Sequence, residues 1–177
     1  MSWINRSLAL LALVFSVTGA QAQTVGRTPA AAEIAAWDID VRPDGQGLPQ
    51  GFGTVARGKT VYAENCEGCH GVGGIGGIKG GLVGGQGTLT SNHPIKSVGS
   101  FWPYSTTLFD YVRRAMPYPA PGSLSAADTY AVVAYILSLN GLLPANGRLD
   151  AKTLPKVRMP NRDGFRPDAE FSQGYIP

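Results

Sequence analysis

The chain has 177 residues with a formal net charge of +3, 44% hydrophobic residues, 24 glycines, 13 prolines and 2 cysteines. That length suits one domain with one core rather than two domains. The small net charge argues against a nucleic-acid surface, and the glycine and proline content predicts many loops and little sheet.

Residues 1–22 read as a secretory signal. Arg6 supplies a positive start, Leu8 to Val17 is apolar apart from Ser16, and Ala20-Gln21-Ala22 has the small-x-small form of a cleavage site. Cleavage after Ala22 leaves 155 residues, 22 fewer than the 177 of the whole chain, and lowers the formal charge from +3 to +2 because Arg6 is lost. The apolar run is too short to span a bilayer, and no later segment is a better candidate. The expectation is an exported, soluble mature protein, with a retained anchor as the alternative.

From Gln23 to Gly53 the chain offers one short helix, Ala30 to Trp37, with Thr28 as N-cap and Pro29 at the first helical position. The turn-rich run Asp38 to Gly47 follows. It is either a floppy leader or a segment that docks through Trp37, Ile39 and Val41. The first firm helix runs from Thr54 to Asn65, with Thr54 as cap and Val55, Gly58, Val61 and Tyr62 on one face. A glycine on that face lets another helix cross closely.

Immediately after it stands Cys66-Glu67-Gly68-Cys69-His70. Cys-x-x-Cys followed directly by His is the attachment signature of a c-type haem. Two thioethers pin the porphyrin edge, and the adjacent imidazole is held under the iron as its proximal ligand. A thioredoxin-type motif would want a strand before Cys66, and a zinc site would need four ligands where only His93 is a further strong candidate. Haem propionates would bring the mature charge close to zero.

Gly71 to Gly87 is rich in glycine, and Gly71 to Gly76 formally satisfies G-x-G-x-x-G. The context is wrong for a dinucleotide, because a haem-ligand histidine stands where a strand should be. The stretch reads as a loop over one edge of the haem. A third helix is expected from Thr106 or Thr107 to Ala115, with Leu108, Tyr111 and Val112 inward, ending at Met116-Pro117 because a residue before proline is pushed out of the helical region. The second firm helix is Ala126 to Leu139, with a capping box from Ser125 and Asp128 and a stop at Asn140-Gly141. It is apolar almost all round and should be buried. Leu142 to Pro177 is a proline-bearing tail for which extended packing and disorder are both open.

If a side chain fills the second face of the iron, the group carries electrons; an open face would bind small molecules. The candidates are Met116, Met159 and His93. Met116 has the best case, because thioether sulfur is a soft ligand that raises the potential and the residue follows a helix end. Its bland role is to fill a gap in the core. Met159 would need the tail to wrap across the haem, and His93 reads as a surface histidine. Trp102 reads as core or pocket wall, with an indole N–H able to bond a propionate.

With these residues in place the chain resembles a class I cytochrome c, which implies a small all-α fold with the first and last helices crossing beside the haem and His70 and Met116 as the axial pair. The runs Trp37 to Gly45, Gly84 to Leu89, Val98 to Tyr111 and Met159 to Phe165 resemble more narrowly the cytochrome subunit of bacterial sulfur (sulfane) dehydrogenase. That resemblance implies a molybdenum partner of the sulfite-oxidase type in the Sox thiosulfate pathway, and leader and tail segments that wrap or interact. The best-known members carry a second haem domain, whereas this sequence has one motif. It therefore looks like the first half alone, or like a one-haem relative serving a sulfite dehydrogenase.

The reading is a signal at 1–22, an extension at 23–53, a monohaem domain at 54–143 and an extended tail at 144–177. One covalent haem c is held by Cys66, Cys69, His70 and Met116. The protein is a periplasmic electron carrier rather than an enzyme by itself, with no nucleic-acid partner and no membrane span after signal cleavage. It takes electrons from a molybdenum sulfur-compound dehydrogenase and passes them to a downstream cytochrome or other acceptor. Lys79, Lys96, Arg113 and Arg114 are candidates for steering the partner. Alternatives are an alcohol dehydrogenase as donor, an open-iron haem enzyme or sensor, and an export protein working as an interaction module.

Overall fold

The computed structural model describes residues 25–166. The signal at 1–22 and the tail beyond Arg166 lie outside the described residues. The chain divides between Asp38 and Ile39 into two compact units. In the first, helix α1 spans Ala31–Trp37 and buries no residue. Its cap is Ala30 rather than Thr28: the Glu33 carboxylate reaches back to accept the Ala30 N–H at 2.7 Å and fixes the start there. Trp37 is 86% exposed.

The second unit is built on two helices. Helix α2, Val55–Asn65, is capped by the Thr54 hydroxyl accepting from Arg57 N–H at 3.2 Å and buries Val55, Gly58, Val61 and Tyr62, the face its periodicity predicts. The longest described helix is Ala126–Leu139, which buries residues on all sides and starts where Ser125 Oγ accepts the Asp128 N–H at 3.0 Å. The two helices cross at Gly58. A Cβ there would fall on the Ala131 carbonyl and lie 2.8 Å from Tyr135 Cβ. Only glycine permits that approach.

Between them in sequence lies the helix Ser105–Ala115, which buries Leu108, Phe109 and Val112 together with Ser105, Thr106 and Asp110. In chain order these last two helices are α4 (Ser105–Ala115) and α5 (Ala126–Leu139), since a one-turn helix, α3 (Glu67–His70), follows α2. Tyr111, expected inward, is 47% exposed. Phe109 takes the inner position instead, packing on Tyr130 with ring centroids 4.5 Å apart, and Tyr111 sits edge-on to Trp102 at 5.7 Å. Burying Phe109, Tyr130 and Tyr62 stabilises the core by about 2 kcal/mol apiece.

Strand is confined, among the described residues, to an antiparallel pair, β1 (Phe52–Thr54) with β2 (Arg148–Asp150), in which Gly53 faces Leu149. Three-residue strands carry too little alternation to be legible beforehand. Gly53 again lacks a side chain where one would strike the Ala131 backbone, so the ribbon lies flat on α5.

The two segments whose state the composition left open are packed in part: Ile39 and Val41 dock, whereas Trp37, the third residue expected to dock, stays exposed. Ile39 to Pro43 lies along α4: Asp110 Oδ1 accepts the Val41 N–H at 3.2 Å, Arg113 donates to the Ile39 carbonyl at 3.3 Å, and the Thr106 hydroxyl donates to the Pro43 carbonyl at 3.3 Å. Val41 is buried and Ile39 half-buried. On the other side, Leu149, Leu154 and Met159 enter the core. Ser105 donates to the Leu154 carbonyl at 2.7 Å, and Asn161 Nδ2 donates to the Phe101 carbonyl at 2.8 Å. Through Asn161 the tail is thus packed, and Asp163 to Arg166 is exposed; Leu149, Leu154 and Met159 recur every five residues, a spacing that matches neither helix nor strand and so gave no period to read.

Replacing Gly58 by Ala should cost about 2 kcal/mol, in the range of overpacked cores. Urea denaturation should show a lowered midpoint with an unchanged slope.

Candidate functional site

The Cys66 N–H still donates to the Tyr62 carbonyl at 2.8 Å, but its own φ of −125° breaks the helical path. The chain restarts as α3, in which Cys69 and His70 both donate to the Cys66 carbonyl, at 3.1 and 2.9 Å. Cys66, Cys69 and His70 therefore share one face, at spacings of three and four residues. Gly71, with φ of 81°, turns the chain away. Its carbonyl accepts the Tyr62 hydroxyl at 2.8 Å, tying the far side of the motif to the buried face of α2.

Both thiols are free, Cys66 half-buried and Cys69 exposed. Burial, and secondarily the Cys69 thiolate, pushes Cys66 up to about 11. That is opposite to a redox-active Cys-x-x-Cys, whose thiol is lowered well below its ordinary value. A four-ligand zinc site also lacks donors: His93, the one further candidate, lies on an exposed turn, and among the described residues no three His, Cys, Asp or Glu side chains are placed to hold a metal ion by themselves. Haem c passes the corresponding test. Two free thiols stand on one face beside an imidazole, the donor set that two thioether links and one iron ligand require.

The glycine loop folds back on the motif. Lys79 N–H donates to the Cys69 carbonyl at 3.2 Å and Leu82 N–H to the Gly74 carbonyl at 2.7 Å. Its apolar side chains Val72, Ile75 and Ile78 are exposed.

Met116 caps α4 in extended conformation, φ −123° and ψ 149°, with its N–H on the Val112 carbonyl at 3.1 Å. It is half-buried and packs against the same core as Cys66 and Trp102. Met159 is 1% exposed, inside that core. His93 is exposed on a turn where its N–H donates to Ser91 Oγ at 3.2 Å. The structure thus gathers Cys66, Cys69 and His70 into one turn, brings Met116 to the same core from a separate helix, and leaves His93 at the surface.

Residues 55–140 match the family model for cytochrome c. A chain of the sulfane dehydrogenase SoxCD from Paracoccus pantotrophus, in its crystal structure, is 43% identical, with a TM-score of 0.78 over 86% of this chain and 76% of that one. The chain belongs to the cytochrome c family. It has the class I fold, all-α apart from the small ribbon, and membership implies covalent haem c and electron transfer. No protein with a curated description matches this cytochrome. Among the described residues, no helix of the cytochrome is long and apolar enough to cross a membrane.

Two features of the site were not read from the sequence. The Tyr62 hydroxyl bond needs a buried tyrosine one turn before the motif, which periodicity places inward but cannot pair. Asn140, read as a stop signal, is buried and reaches into the loops.

Tyr62 and Tyr130 are each pushed up to about 12, chiefly by burial, from an ordinary value of 10.0. The native state therefore keeps two protons that an unfolded chain sheds near 10, so the stability they contribute is complete below about pH 10 and lost as pH rises through about 12. An alkaline titration should show these two tyrosinates appearing last, together with loss of near-ultraviolet circular dichroism.

Proposed function

We propose that this cytochrome is a one-haem periplasmic carrier that accepts electrons from a molybdenum-containing sulfur-compound dehydrogenase and delivers them to a further carrier. The observation that carries the reading is the 43% identity over 86% of the chain with a chain of the sulfane dehydrogenase SoxCD. The family model alone would suit any donor. Export of the mature chain from Gln23 rests on the signal at 1–22.

When bound, haem c supplies a one-electron couple. The chain's own residues hold and isolate it. Cys66 and Cys69 would hold it through thioethers, and His70 and Met116 would ligate the iron; the choice of Met116 is supported by its half-buried place at the end of α4, whereas Met159 is consumed by the core. No bond to substrate forms or breaks on this chain; the sulfur chemistry belongs to the partner. Of the four cations considered for steering, Arg113 donates to the Ile39 carbonyl, and Arg114 pairs with Asp110 and, at 3.6 Å, with Asp40. Lys79 and Lys96 are exposed and form no ion pair among the described residues, so partner steering falls to them.

The reading is tested by purifying the native protein with its co-purifying partner. A molybdenum subunit should accompany it, and sulfite or thiosulfate should reduce the haem; reduction by an alcohol alone would reject the sulfur assignment. Separately, Met116→Ala should abolish the sulfur-to-iron charge-transfer band. Loss of that band in Met159→Ala instead would transfer the ligand role to the tail.

A further inference from the structure

Asn140 stands just past the end of α5, is 8% exposed, and has a side chain whose hydrogen-bonding capacity is fully used. Its Nδ2 donates to the Leu82 carbonyl at 3.1 Å and to the Ile136 carbonyl at 3.0 Å. Its Oδ1 accepts the Gly84 N–H at 3.3 Å and, more weakly, Gln86 Nε2 at 3.5 Å. The backbone at Asn140 has φ of −92° and ψ of 7°, a conformation any residue adopts. Ending the helix therefore does not require asparagine.

The surroundings are shaped to this amide. A Cβ on Gly99 would collide with Asn140 Oδ1 and come within 2.6 Å of its Cγ, although no positive φ calls for glycine there. Gly99 is small because the amide occupies the space. The turn that carries it is held by buried hydroxyls: Ser97 Oγ donates to the Gly84 carbonyl at 2.5 Å and Ser100 Oγ to the Ile95 carbonyl at 2.6 Å. Leu82 to Gln86 is thus clamped between α5 and the 97–100 turn. From the clamp a chain of bonds runs back to the haem motif: Asn140 to the Leu82 carbonyl, Leu82 N–H to the Gly74 carbonyl at 2.7 Å, and, within the same loop, Lys79 N–H to the Cys69 carbonyl at 3.2 Å. A stretch this rich in glycine has little packing of its own to hold it.

We propose that Asn140 is the positioning residue of the cofactor site, fixing the glycine loop Gly71–Gly87 against the cysteine turn and thereby setting the solvent access and reduction potential of the haem that this turn would hold. This rests on the haem-carrier reading above, and not on the identity of the electron donor. Polar closure of this kind acts on potential through local dielectric and solvent access.

The test uses the haem-loaded chain, with amide hydrogen exchange and spectroelectrochemical titration on Asn140→Ala, Gly99→Ala, their double variant and Gln86→Ala. Asn140→Ala should speed exchange at Gly84 about tenfold relative to Val61 in α2, the effect of losing hydrogen bonds locally, and should lower the potential. Gly99→Ala should do the same by displacing the amide. In the double variant the second change should add nothing, since the two act on one contact. Gln86→Ala, which removes the two longer bonds from Gln86 Nε2 to the Asn140 carbonyl at 3.4 Å and to Oδ1 at 3.5 Å while leaving Asn140 in place, should move both readings less in the same direction and serves if Asn140→Ala does not fold. Faster exchange at Gly84 with an unchanged potential would overturn the proposal. So would equal acceleration at Gly84 and Val61, which marks general destabilisation, or additive effects in the double variant. Failure of the donor assignment shows differently, as a wild-type haem of normal potential that no sulfur compound reduces through the partner.

Discussion

The close crossing of α2 and α5 at Gly58 is the constraint on which the rest depends. Because no side chain separates the helices, the α2 backbone settles onto the Ala131 carbonyl and Tyr62, one turn later, passes fully beneath the surface to meet Tyr135 at 5.3 Å. Its hydroxyl then reaches the Gly71 carbonyl on the far side of His70. A contact between two helices thereby sets the position of a turn that neither helix contains. For a carrier that gains and loses charge, such a fixed frame keeps the cysteine turn in place in both states.

The same economy recurs on α4. Its polar residues reach outward to strap neighbouring segments, Asp110, Arg113 and Thr106 to Ile39–Pro43 and Ser105 to the tail. Each strap is a side chain on a rigid helix bonding a backbone group in an irregular segment, which satisfies donors and acceptors that no regular structure could pair. Met116 ends this helix, so leader and tail together hold the element that carries it.

How much of this was legible beforehand depended on whether the signal was local. Helices α2 and α5 could be read because caps, period and stop agree within a few residues, and the haem motif because its spacing is itself the chemistry. The α4 boundary at Met116 followed from Pro117. Tyr111 was misplaced because period alone cannot choose between adjacent aromatics; contact with Tyr130 decided for Phe109. The start of α1 was misplaced because Glu33 outcompeted Thr28 for the cap. The strand ribbon, the Asn140 clamp and the packing of the tail join residues far apart in the chain, and no window of sequence contains both members of such a pair. For leader and tail, composition left docking and disorder both open, and only the long-range contacts decide between them.

The order of these parts along the chain has a bearing on assembly. Helix α5 begins at Ala126, long after the cysteine turn at Cys66 to His70, and β2 comes later still. The two sides of the principal helix crossing therefore cannot meet until the chain has emerged at least through Leu139. Cys66 and Cys69 thus precede in synthesis the helix against which their own turn is finally braced, and Cys69 stays exposed even after that helix is in place.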